Sequence, residues 1–127
     1  MARVSEEQVL ARLREICMAL PGTEEVISFG HPAFKTAGRI YAVLEEYNHD
    51  LSLCVKVGKN LQDLFLKDER FYRTPYIGQH GWVSLKVHAA PLNWDEVREL
   101  VIGSHRLITP ERKPRAVKRK KTFRNSR

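Results

Sequence analysis

The chain has 127 residues and 14.7 kDa, enough for one domain with its own core and too few for two ordinary ones. It carries 22 Lys and Arg against 15 Asp and Glu, a net charge of +7, but nine of the basic residues and only one acidic residue fall in residues 110–127. The first 109 residues are therefore close to neutral, no apolar run approaches a membrane span, and a cytoplasmic protein with no membrane partner is expected.

Ser5-Glu6-Glu7-Gln8 matches a capping box, in which the Ser5 hydroxyl and the Gln8 side chain each satisfy the other's backbone amide. Val9, Leu13, Ile16, Cys17 and Leu20 then recur at helical spacing, and Pro21-Gly22 stops the helix. Thr23 to Phe29 reads as a first strand closed by Gly30 and Pro32, and Phe34 to Thr36 as a short extended piece before an Ala37-Gly38 turn. Arg39 to Glu46 is apolar on both faces, as a central strand would be. After a turn at Asn48-His49-Asp50, Leu51 to Val57 reads as a half-buried antiparallel strand, with Ser52, Cys54 and Lys56 on the outer side.

Asn60 can cap a short helix running to about Lys67, with Leu61, Leu64 and Phe65 inward. Phe71 to His88 joins an aromatic, glycine-bearing loop to a strand in which Val83, Leu85 and Val87 face the core. Trp82, Ser84, Lys86 and His88 alternate onto the other face. Asn93 and Glu96 form a capping pair for a last helix with Trp94, Val97, Leu100 and Val101 inward. The domain spans residues 1–109. Residues 110–127, with two prolines and almost nothing to bury, form a basic tail expected to be disordered in isolation.

No catalytic constellation emerges. The five histidines, His31, His49, His80, His88 and His105, lack the close pairing of metal ligands. Glu24-Glu25 and Glu45-Glu46 alternate across strands and cannot flank one substrate as dipeptides. Neither a nucleophile elbow nor a phosphate-binding glycine loop is present. Cys17 and Cys54 read as two buried thiols. These residues give no enzyme, metal or cofactor, and a monomer is expected.

Two binding readings remain. Lys56, Lys86 and Trp82 share one predicted strand face, Trp82 could stack on a base, and Lys35, Arg39 and Arg73 add charge. Lys118, Arg119, Lys120 and Lys121 lie in the tail, which could neutralise phosphates without reading sequence. Nucleic acid, DNA in the first instance, is the expected partner. The alternative is a protein-interaction or small-ligand module with a pocket lined by Phe34, Tyr41, Tyr76 and Trp82.

The order and spacing of Leu20-Pro21-Gly22, Phe29-Gly30-His31-Pro32-Ala33-Phe34-Lys35, Gly38-Arg39-Ile40-Tyr41-Ala42, Pro75-Tyr76, Gly81-Trp82-Val83 and Trp94-Asp95-Glu96-Val97 resemble the MmcQ/YjbR family. The resemblance runs from about Pro21 to Ile108. It implies a single α+β domain, an antiparallel β-sheet flanked by helices with a double-wing likeness, and a DNA-binding role. It supplies no catalytic residues. Family members often carry Ser-Tyr where this chain has Ser104-His105.

Overall fold

A computed structural model of the chain describes residues 4–109. The order of elements is α1 (Glu6–Met18), β1 (Glu24–Ser28), β2 (His31–Thr36), β3 (Arg39–Tyr47), β4 (Asp50–Lys56), α2 (Lys59–Leu66), β5 (Phe71–Arg73), a 3₁₀ turn (Gly78–His80), β6 (Trp82–Lys86) and α3 (Trp94–Ile108). The strands make one antiparallel sheet in the order β1-β2-β3-β4-β6-β5. The α+β class and the flanking helices are as the sequence implies. The expected tail disorder concerns residues outside those described.

Three successive hairpins build β1 to β4, each closed by two residues at positive φ: Phe29-Gly30, Ala37-Gly38 and Asn48-His49. Such turns match the twist of the strands they join. Pro32 does not end β1 as its sequence suggests; it lies inside β2, opposite Ile27. Pairing of β2 with β3 starts only at Ala33, so the amide hydrogen that proline lacks is not missed by the ladder.

One face of the sheet holds the core. Phe34, Ala42, Leu44, Leu53, Val55, Val83 and Leu85 meet Val9, Leu13 and Cys17 of α1 and Val97, Leu100 and Val101 of α3. Burying each side chain of Leu size contributes about 1.5–3 kcal/mol. α1 begins with the expected reciprocal cap of Ser5 and Gln8. α3 begins on Asn93, whose side chain accepts from the amides of Asp95 and Glu96. The Glu96 carboxylate does not close a capping box; it reaches Arg70, which also holds Asp68.

α2 differs from the sequence expectation. Its N-cap is Gly58, which offers no side chain, and Asn60 lies within the first turn. Leu61 and Leu64 are exposed, while Gln62 is buried. The reason is a pair of hydrogen bonds: the Gln62 amide donates to the carbonyls of Gly78 (2.7 Å) and Trp82 (2.9 Å). A polar residue is turned inward because the 3₁₀ turn presents carbonyls there, and the helix rolls its leucines outward.

A second departure lies in β3. The register with β2 slips between Phe34 and Lys35, so Tyr41 is an extra residue, a bulge. Its fully buried ring meets His105 edge-on at 5.0 Å, and its hydroxyl bonds the Thr23 hydroxyl and donates to the Cys17 carbonyl. Continuing the β3–β4 register would place Tyr41 opposite Lys56, but that rung is not made directly. The Ser104 hydroxyl of α3 takes its place, donating to the Tyr41 carbonyl at 2.6 Å and accepting from the Lys56 amide at 2.9 Å.

Because both backbone groups depend on one side-chain oxygen, Ser104→Ala should cost about 1–3 kcal/mol, the usual penalty for unsatisfied buried polar groups. Urea unfolding of the variant checks this. A change too small to resolve would mean that the strands close the rung unaided.

Candidate functional site

The antiparallel meander sorts the strand ends. The Ala37-Gly38 turn, the end of β4, the end of β5 and the start of β6 share one end of the sheet; the Asn48-His49 turn lies at the other. Lys35, Arg39, Lys56 and Arg73 are thereby gathered at the first end, and Lys59 opens α2 beside them. Glu45, Glu46 and Asp50 occupy the opposite end with Lys86. Glu24, opposite Lys35, and Glu25, opposite Phe34, are the acidic strand residues toward the basic end.

α3 delivers the chain to the same basic end. Ser104 touches Tyr41 and Lys56, and a side-chain carbon of Leu107 lies near Gly58. The His105 ring bonds the Pro21 carbonyl at 2.8 Å, and Thr109 caps the helix through the His105 carbonyl. Thr109, the residue before the basic stretch 110–127 in the sequence, therefore lies at this end; Lys118, Arg119, Lys120 and Lys121 lie outside the described residues.

Among the described residues, no helix covers the face opposite the core. The predicted neighbours are side by side there: Ser52 opposite Lys86, Cys54 opposite Ser84 and Lys56 opposite Trp82. The face is not the half-buried surface that the alternation of β4 suggests, because Ser52, Cys54 and Ser84 are fully buried beneath larger neighbours. The Tyr72 hydroxyl bonds Ser52 at 2.8 Å, and the Ser84 hydroxyl bonds both Thr74 at 2.9 Å and the Cys54 sulfur at 3.2 Å. Tyr72 stacks on Tyr47 at 6.0 Å, and the Lys86 ammonium lies 6.0 Å from the Tyr72 ring centre. Sequence reasoning misses Tyr72 and Thr74, since only the pairing of β5 with β6 brings them to this row.

The positions expected to bind are thus divided. Lys35, Lys56 and Lys86 lie on the open face, the last at the far end. Arg39 is in register with Thr36, and Arg73 with Val83, so both project from the basic end without joining that face. Trp82 is only 7% exposed, which leaves its indole no free face for stacking on a base. The alternative pocket does not form: Phe34 and Tyr41 are sealed in the core, whereas Tyr76 is 93% exposed.

The loop before β6 is fixed by close backbone approach. Gly81, at φ 87°, passes so near Gly58 that an added Cβ would lie 2.7 Å from its carbonyl carbon. The Gly81 carbonyl accepts from the amides of Val57 and Gly58. This contact binds the end of the 3₁₀ turn to the start of α2.

The open α+β architecture, with three α-helices and a six-stranded antiparallel sheet among the described residues, defines the class of protein. The YjbR family model matches residues 18–107, and the chain belongs to that family. Its fold is similar to that of Deinococcus radiodurans protein DR2400, described by the domain DUF419, with a TM-score of 0.70 and 22% identity over 84% of this chain and 83% of that one. It is also similar to a structural-genomics protein from Pseudomonas syringae, with a TM-score of 0.67 and 15% identity over 84% of this chain and 100% of the other. No curated protein matches. Among the described residues, no helix is long and apolar enough to cross a membrane.

Burial pushes the Cys54 and Cys17 thiols from an ordinary 9.0 up to about 12. Their folded-state values are raised, so the associated stability is whole below about pH 9 and is lost as pH rises toward 12. Stability to urea should therefore decline across that alkaline window. Neither thiol should react with a disulfide reagent at pH 8 until the protein unfolds; rapid labelling of native Cys54 would contradict its burial.

Proposed function

We propose that this protein is a non-enzymatic nucleic-acid-binding protein that grips the phosphate backbone of duplex DNA with the basic end of its sheet. The observation that carries the reading is convergence: Lys35, Arg39, Lys56, Lys59 and Arg73 share the end of the sheet at which α3 also ends, one residue before the basic stretch of residues 110–127 in the sequence. A nearly neutral body thus presents its strand cations at the end where Thr109, the last described residue before the most charged segment of the sequence, is found. Such an arrangement neutralises phosphates and releases counterions, which gives affinity without sequence selection.

Trp82 and the hydroxyl row on the open face have structural roles in this reading. Lys86 lies toward the acidic end, opposite Ser52, and takes no part in this reading. The buried, protonated Cys54 thiol is a poor nucleophile.

Fluorescence anisotropy of a labelled duplex titrated with the full chain tests the proposal. With about six phosphates neutralised, log Kd against log salt should change with a slope of magnitude about 5. Replacing Lys35, Arg39, Lys56 and Arg73 by Ala should reduce that magnitude by about 0.9 for each phosphate no longer neutralised. Binding that is undetectable at low salt would overturn the proposal. So would a chain with the four alanines that binds as the original does, since it would leave the body without a part.

A further inference from the structure

The two edges of the sheet are finished differently. β5 is three residues long with α2 packed beside it, a short and covered edge of the kind that resists strand addition. β1 is five residues long, contains neither Pro nor Lys, and among the described residues pairs only with β2. The two-residue turn at Phe29-Gly30 fixes which groups are free. Ser28 with His31, Val26 with Ala33 and Glu24 with Lys35 are the pairs that exchange backbone hydrogen bonds within the hairpin. Glu25 and Ile27 therefore turn their N–H and C=O groups away from the sheet.

Exposed apolar side chains collect along this edge. Ile27 is 69% exposed and Phe29 is 99% exposed, while Met18 at the end of α1 is half-exposed. Phe29 also sits at φ 52°, a conformation unfavourable for a bulky residue, and packs against nothing that would repay the strain. On the α1 side, Arg14 already holds the Glu25 carboxylate with two hydrogen bonds, at 2.7 and 2.9 Å.

We infer that β1 pairs antiparallel with β1 of a second copy of this chain, about a two-fold axis at Val26. In this register the free groups of Glu25 meet those of Ile27 in the other copy, and the reverse, making four backbone hydrogen bonds. Val26 faces Val26, and Glu24 faces Ser28. No two carboxylates are opposed, whereas a register centred on Glu25 would oppose them directly. Phe29 reaches the level of Thr23 in the second copy, beside the end of α1 and its Met18, so both exposed side chains gain cover. The pattern of β1 is self-complementary in charge, backbone polarity and apolar area, which is the property that an isologous interface requires. The contact closes at two copies and replaces the monomer expected from sequence.

Sedimentation velocity of the full chain over a wide concentration range tests the pairing, alongside amide exchange. The expected result is a reversible monomer–dimer equilibrium, with the amides of Glu25 and Ile27 protected only when the chain is concentrated. Ile27→Pro removes an amide hydrogen that the single copy does not use, and proline is tolerated on an edge strand. It should weaken the dimer about tenfold or more while circular dichroism stays unchanged. Should Ile27→Pro disturb the fold, Ile27→Asp serves instead, because it places a carboxylate opposite Glu25 of the second copy. A monomer at every concentration overturns the inference, including one whose edge captures an unrelated peptide. A dimer of unchanged affinity in either folded variant, or one that leaves the two amides unprotected, overturns it as well.

Discussion

The hydroxyl of Ser104 stands where a rung of the sheet is missing, and much of the molecule is arranged around it. The bulge at Tyr41 turns a large ring into the core, but it leaves a carbonyl on β3 and an amide on β4 in need of partners. A direct rung would have been anonymous backbone chemistry. A side chain from α3 makes the sheet depend on a particular residue 63 positions away in the chain. His105, the next residue, bonds the Pro21 carbonyl and meets the Tyr41 ring. The two residues thereby place the end of α3 over the end of α1 and beside Lys56. Where α3 ends is a consequence of this hydrogen bonding.

That placement gives the charge distribution its meaning. Composition alone sees a basic protein whose charge is mostly terminal. The meander adds that Lys35, Arg39, Lys56 and Arg73 share an end because the direction of the chain reverses at each turn. Alternation along single strands cannot reveal this, since the four residues lie on four different strands and do not share one face. The cationic surface is an end of the sheet, whereas the open face is occupied largely by a buried row of hydroxyls and a thiol.

Much of the fold is legible where the signal is local. Ser5 with Gln8, Asn93 before α3, and the Ala37-Gly38 and Asn48-His49 turns all act through neighbours in sequence. The strand faces of β4 and β6 are also readable, and their pairing puts Ser84 beside Cys54 and Trp82 beside Lys56. The failures share a cause. Gln62 turns inward because carbonyls of the 3₁₀ turn and of β6 await it, Pro32 remains in a strand because its neighbour has not yet begun to pair, and Tyr41 bulges because Ser104 can complete the ladder. Trp82 is covered despite its place on the helix-free face. Each depends on tertiary partners that hydrophobic period does not encode.

The central claim is that the basic end, and not the helix-free face as a whole, meets nucleic acid. Backbone amide shifts of the isotopically labelled full chain, followed while a short DNA duplex is added, test it residue by residue. Changes should centre on Lys35, Arg39, Lys56, Lys59 and Arg73, with Glu45 to Asp50 unmoved. Changes centred on Tyr72, Ser84 and Lys86, or none at any described residue, would contradict it.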